Sequence, residues 1–148
     1  MKTIYYLITF VITVTSYGQN TIYNTQKGYV ANGYDVVSYF SNEALKGNDE
    51  HRFTYDNVNF KFSNEVNLNL FKSTPEKYTP QYGGWCAYAI ALKNKKVGIN
   101  PKSFEVRDGK LYLFYNSKLI NTHKKWLAKK PQVLIRKAND NWATTIMN

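Results

Sequence analysis

The sequence contains a single cysteine, Cys86, among its 148 residues. Small exported domains that depend on disulfides for stability carry an even set of cysteines, so this composition excludes a disulfide-stapled scaffold. Packing must therefore stabilise the fold, and a chain of this length can bury a substantial core. Aromatic residues form 16% of the sequence, so we expect large rings to dominate that core.

Long hydrophobic runs are also missing. The main apolar stretch, residues 4–14, is interrupted by two threonines and is shorter than the roughly 20 apolar residues that a membrane-spanning helix needs. Lys2 precedes this stretch, and the small residues Ser16 and Gly18 follow it, a pattern typical of a signal peptide. We therefore expect residues 1–18 to be cleaved near Gly18, leaving a periplasmic or secreted protein that is not transmembrane.

Acidic residues are scarce. The chain has 10 Asp and Glu residues against 20 Lys and Arg residues, a formal net charge of +10. Such a charge favours acidic partners, although lysines also form ordinary solvated faces. Because we expect export, no nucleic-acid partner is expected, and anionic envelope surfaces are the candidate macromolecular partner.

The hydrophobic pattern predicts one α+β domain, with an irregular lead-in over residues 19–32 and the folded domain over 33–148. Residues 36–40 are rich in β-formers and predict a strand, while residues 43–47 predict a single helical turn closed by glycine. The expected architecture is a small antiparallel sheet of short hairpins packed against several short helices.

Two hairpins have clear turn signals. Residues 51–55 and 58–62 alternate around Asp56-Asn57, and a second pair of strands flanks Asp108-Gly109. Both Asp-Asn and Asp-Gly tolerate the backbone angles of a two-residue turn, and such a turn favours the twist that a hairpin requires.

Helices are predicted from capping residues and apolar spacing. Ser63 should cap a helix that ends near residue 73, and Thr74-Pro75 should open another turn. Further helices are predicted from Trp85 to residue 91, from Ser117 to residue 128, and over residues 132–142.

Four segments resemble, in order, motifs of exported YHS-domain proteins: GYDVVSYF (33–40), FKFSN (60–64), FKSTPEKY (71–78) and PQYGGWCAYA (80–89). The tail, with DGKLYL at 108–113 and Asn141-Trp142, is similar to the same subgroup. The resemblance spans about residues 33–142 and implies a small α+β fold. It also implies a link to metals, because related YHS and TRASH-type modules occur in heavy-metal handling proteins.

The sequence departs from those modules at the metal-binding cysteines. The related modules carry three cysteines: one before the first strand, one after the hairpin strand and one in the following helix. This chain has no cysteine at the first and third of these places, and it has Ser63 at the second. The multi-cysteine site is therefore not carried over. Cys86 instead matches a single-cysteine subgroup.

Cys86 follows Gly83-Gly84 near the expected start of a helix. A helix N-terminus favours a thiolate, and glycines let backbone N–H groups converge on one point. This arrangement suits a nucleophilic thiol, a soft-metal ligand or an anion pocket. Packing of Cys86 as a small apolar residue is the structural alternative.

The candidate site residues follow from these motifs. We expect a small ligand to contact the following set: Tyr34, Asp35, Tyr82, Gly83, Gly84 and Trp85. Cys86 is the candidate metal ligand, with His51 as its second donor, and thiolate with imidazole favours copper(I). A lone histidine at a strand end is also typical of an ordinary surface residue.

Three functions stay open at this point. The favoured one is an exported binding module for a soft metal ion such as copper, or another small ligand, near Cys86. The second is a thiol-dependent enzyme or redox protein that uses Cys86, although an enzyme is the less favoured class. The third is a basic interaction protein that docks on anionic surfaces.

Overall fold

The computed structural model describes residues 22–147, so the predicted signal peptide lies outside the described residues. The elements in chain order are β1 (Thr25–Gln26), β2 (Tyr29–Val30), β3 (Arg52–Tyr55), β4 (Val58–Lys61), α1 (Glu65–Ser73), α2 (Pro75–Tyr78), α3 (Ala87–Lys93), β5 (Asn100–Arg107), β6 (Lys110–Phe114), α4 (Thr122–Ala128) and α5 (Pro131–Met147). Three short 3₁₀ turns lie between them, at Ala31–Gly33, Ser38–Ser41 and Gln81–Gly84.

These elements form a single α+β domain, as the sequence predicts. One sheet has the strand order β1-β2-β4-β3, and β5 pairs with β6 in a separate two-stranded sheet. The lead-in differs from its prediction, since it supplies β1 and β2 rather than irregular chain. The β2–β4 pair is parallel, with Tyr29 opposite Asn59, so the larger sheet is mixed rather than wholly antiparallel.

Both predicted hairpins are confirmed. Asp56 and Asn57 have φ of 49° and 61°, and Asp108 and Gly109 have φ of 51° and 71°. Positive φ at both central residues matches the right-handed twist of the flanking strands. The register follows, with Tyr55 opposite Val58 and Arg107 opposite Lys110.

The predicted strand at 36–40 is wrong, because Asp35 changes the local hydrogen bonding. Its Oδ1 accepts hydrogen bonds from the backbone N–H groups of Val37 and Ser38, which a strand would use for pairing. A 3₁₀ turn over Ser38–Ser41 results. The helical turn predicted at 43–47 is also wrong, since this segment is held in extended form by a bridge between Tyr34 and Lys46.

Two helix starts differ from the prediction for a related reason. Asn64, rather than Ser63, caps α1 by accepting a hydrogen bond from Asn67 N, while the Ser63 hydroxyl donates to Asp35. Asn121, rather than Ser117, caps α4 by accepting from Lys124 N. In both cases a polar residue further along the chain serves as the cap, one position later for α1 and four positions later for α4, and tertiary contacts decide between the candidates.

The core has two aromatic clusters. In the first, Phe71 of α1 is fully buried and contacts four rings of the β3–β4 hairpin and its end: Phe53, Tyr55, Phe60 and Phe62. In the second, fully buried Trp126 of α4 packs on Tyr112 and Phe114 of β6. The turn Gln81–Gly84 lies where α2 leads into α3, and Tyr82 belongs to the second cluster.

Candidate functional site

Hydrogen bonds join the turn Gln81–Gly84, called the glycine turn below, to the first described residues of the chain. Tyr82, Gly83 and Gly84 have φ of 55°, 59° and 80°, so three successive residues are left-handed. Asn24 donates to the carbonyl oxygens of Gly83 (2.8 Å) and Gly84 (3.1 Å), and Trp85 Nε1 donates to Ile22 O at 2.9 Å. The turn and the chain entry therefore hold each other in place.

A groove of about 440 Å³ opens beside this turn. Its walls come from the entry segment, the end of β3, α2, the glycine turn and α5, and four of its side chains are aromatic: Tyr23, Tyr55, Tyr82 and Trp142. Of the predicted ligand residues, Tyr82 and Gly83 line this groove.

Three tyrosine hydroxyls around the groove donate to fixed acceptors. Tyr55 donates to Glu76 Oε1 (3.0 Å), Tyr82 to Asn139 Oδ1 (2.9 Å) and Tyr23 to Asp56 Oδ2 (3.0 Å). Burial raises the pKa of Tyr82 and of Tyr23, and the hydrogen bond to Glu76 raises the pKa of Tyr55. All three therefore stay protonated at neutral pH, and the groove presents rings with carboxylates at its edge.

Tyr34 and Asp35 do not share this groove. Tyr34 lines a different hollow of about 350 Å³, together with Lys27, Lys46 and Lys61. Asp35 is fully buried, and its Oδ2 accepts from Ser63 N, Ser63 Oγ and Asn67 Nδ2 at 2.6–2.9 Å. With Val37 and Ser38 on Oδ1, both carboxylate oxygens are engaged in holding the fold.

Cys86 lies at the start of α3, as the sequence predicts, in the N-cap position and without a side-chain capping hydrogen bond, and its side chain is fully buried. Its Sγ lies 3.4 Å from Thr122 Oγ1, and the Thr122 hydroxyl donates to Tyr115 O at 2.6 Å. The thiol therefore fills the seam between α3 and α4. Gly84 and Trp85, its neighbours, are held by the chain entry as described above.

No described contact joins Cys86 and His51, the two predicted copper ligands. His51 lies beside β3, where its backbone accepts from Phe62 N and donates to Asn48 Oδ1. The hydrogen-bond contact of Cys86 Sγ is Thr122, in a different part of the fold. Residues 22–147 also hold no group of three or more His, Cys, Asp or Glu side chains that could share a metal ion.

The buried thiol gives the first testable prediction. We expect Cys86 to react with a disulfide reagent at least ~100-fold more slowly in the native protein than in concentrated guanidinium chloride, because reaction must wait for local opening. Release of the thiolate product, followed by absorbance, measures both rates. Rapid reaction of the native thiol at neutral pH would contradict this arrangement and favour a thiol enzyme.

A second polar cluster lies under α4 and was not predicted. His123 stacks on Phe114 with ring centroids 4.6 Å apart, and burial lowers its pKa, so it is neutral at pH 7. Glu105 accepts a hydrogen bond from Trp126 Nε1 (2.8 Å) and pairs with Arg107. These contacts fix α4 on the β5–β6 hairpin.

No family model, curated protein or solved structure matches this chain. Across residues 22–147, no helix combines the length and the apolar character that crossing a membrane requires.

The groove residues that sequence reasoning missed come from distant parts of the chain. Tyr23 lies in the segment that was predicted to be an irregular lead-in, and Asn139 lies on α5. Glu76 lies in the first turn of α2, where an acidic residue is expected for helix stability alone. Trp142 gave one signal, since it falls in the last motif of the YHS resemblance. Nothing in the spacing alone brings these four residues together.

Proposed function

We propose that the protein is a small exported binding module, of YHS type by its motifs, that takes a small organic ligand in the aromatic groove. The observation that carries this proposal is the meeting of four aromatic side chains in one groove of about 440 Å³. Small-molecule sites have volumes of about 300–1,000 Å³ and combine apolar walls with a few placed polar groups. The groove has both.

The charges around the groove favour a cationic or neutral ligand. The chain has 20 Lys and Arg residues, yet none of the described residues that line the groove is one of them. Glu76 lines it, and Asp56 is one hydrogen bond away through Tyr23. Aromatic faces attract organic cations by about 0.5–2 kcal/mol, and a nearby carboxylate adds to that attraction.

The alternatives have less support. A soft metal at Cys86 would need the buried sulfur to leave Thr122 and meet a second donor. A thiol enzyme would need substrate access to a side chain with 0% exposure. A ligand in the groove needs neither change, because the groove as a whole is open to solvent.

Three probes that share a phenyl ring and differ in charge test the proposal. We expect benzyltrimethylammonium to bind best, benzyl alcohol more weakly and benzoate least, as measured by saturation-transfer NMR and by titration of tryptophan fluorescence. Strongest binding of benzoate would contradict the proposed electrostatics. If none of the three probes bound, the proposal that the aromatic groove is a ligand site would be refuted.

Groove variants locate the binding. Trp142→Ala should weaken binding of benzyltrimethylammonium by roughly tenfold, the equivalent of about 1.4 kcal/mol, because it removes a ring face. Glu76→Gln should weaken it by less and should spare benzyl alcohol. Tyr29→Ala is the matched control, since Tyr29 is half-buried in other hollows of the protein. Equal losses in the control would place the probe elsewhere.

A further inference from the structure

The loop between β6 and α4 is a tight turn with an exposed apolar tip. Ser117 N donates to Ile120 O (2.8 Å), Ile120 N donates to Ser117 Oγ (3.1 Å), and Asn116 bridges to Asn121. Leu119 stands at the tip with 95% exposure, the highest of any large hydrophobic side chain among the described residues. These hydrogen bonds hold the backbone of the loop in place, with the leucine side chain in solvent.

Helix α4 continues this surface. Its inner face is buried through Thr122 and Trp126, whereas Lys124, Lys125 and Leu127 are exposed. With a rise of 1.5 Å per residue, the helix is only about 10 Å long, so its outward side chains stay close to the loop. We call the following exposed side chains the α4 patch: Lys118, Leu119, Ile120, Lys124, Lys125, Leu127, Lys129 and Lys130.

The stretch of chain that carries the α4 patch is strongly basic. Residues 109–139 contain eight Lys and Arg residues and no Asp or Glu. The acidic residue that packs under α4, Glu105, is engaged by Arg107 and by Trp126 Nε1. His123, on the same helix, is neutral because burial lowers its pKa. The lysines of the patch therefore meet no compensating carboxylate on their own stretch of chain.

We propose that the α4 patch docks on the surface of an anionic phospholipid bilayer. Clustered lysines gain about 1 kcal/mol each near an anionic leaflet, and exposed leucine and isoleucine side chains among them can enter the boundary between headgroups and acyl chains. This inference is independent of the ligand groove, since the two sets of residues share no member.

A nucleic acid fits the same surface less well. Single-stranded nucleic acid is held by aromatic stacking in addition to positive charge, and the aromatic residue of α4 nearest the patch, Trp126, has 0% exposure. An exposed leucine at the tip contributes nothing to phosphate contacts, whereas it stabilises a protein on a lipid surface.

Vesicle co-sedimentation tests the proposal. The experiment uses the protein in the form that is purified after expression, including any processing by the cell. Vesicles of phosphatidylcholine with phosphatidylglycerol should bind the protein, and vesicles of phosphatidylcholine alone should not. The double variant Lys124→Gln with Lys125→Gln should lower the partition coefficient by about 10- to 30-fold, and Leu119→Ser by roughly tenfold. Circular dichroism should show that both variants are folded, because every substituted side chain is exposed.

Matched controls remove the same chemistry elsewhere. Lys27→Gln with Lys46→Gln takes two charges from the hollow beside Tyr34, and Val66→Ser removes an apolar side chain that is 69% exposed on α1. Both should bind vesicles as the parent does. Equal losses in these controls, binding that survives high salt unchanged in every variant, or preference for duplex DNA over the vesicles would each overturn the proposal.

Discussion

Replacing Asp35 with asparagine is expected to lower the free energy of unfolding by roughly 3–5 kcal/mol. The carboxylate is fully buried and accepts from five donors, on Val37, Ser38, Ser63 (two groups) and Asn67. An amide of the same shape presents an NH₂ group to some of these donors. Two or more hydrogen bonds to a charged acceptor are lost, at about 1.5–3 kcal/mol each.

Urea unfolding followed by circular dichroism measures this change as a lower midpoint. Asp49→Asn is the matched control, because Asp49 is an exposed carboxylate that pairs with Lys61 at 2.6 Å, and exposed pairs contribute little to stability. We expect its midpoint to be that of the parent. If Asp35→Asn unfolded at the parent midpoint and bound benzyltrimethylammonium less well, Asp35 would be a residue that contacts the ligand, as the sequence predicts.

Replacing Gly83 with alanine is expected to cost roughly 2–5 kcal/mol of stability and to damage the groove. Gly83 has φ of 59°, and a Cβ there would lie 2.2 Å from Ile22 O and 3.2 Å from Tyr23 Cα. The left-handed backbone costs an alanine about 1–2 kcal/mol, and overpacking adds about 1–3 kcal/mol. Since the obstructing atoms are backbone, the chain entry must move away from the turn.

Gly109→Ala is the control for Gly83→Ala. It imposes the strain of a left-handed backbone on an alanine without a steric clash at the added Cβ. Gly109 also has positive φ, 71°, but a Cβ there would meet no atom within 4 Å. We expect only the left-handed strain of about 1–2 kcal/mol, with unchanged probe binding in the groove. Thermal unfolding and the fluorescence titration report the two effects. Similar behaviour of both alanine variants would mean that the entry segment does not close against the turn.

The parts of the fold that follow from adjacent residues were predictable. Asp56-Asn57 and Asp108-Gly109 determine their hairpins through the backbone angles that these residues tolerate. The segment 36–40 was not predictable, because the carboxylate that bends it is itself held by Ser63 and Asn67, about thirty positions away. Propensity for strand gave way to a tertiary hydrogen-bond network.

The candidate site was predictable only in part. Its motif drew attention to Tyr82 and Gly83, which line the groove, and to Cys86, which is buried against Thr122 in the α3–α4 seam. Burial of a cysteine depends on what packs over it, and here Thr122 comes from a helix 36 positions later. Sequence alone does not give that contact.

Ile22 and Ile146 both line the groove, although they stand near opposite ends of the described chain. A purification tag joined directly to Ile22 or directly after Ile146 would begin at the wall of the groove and compete with whatever enters it. A tag placed in the exposed Asp108-Gly109 turn would avoid the groove-lining residues, and screening for small molecules should begin with a protein labelled there.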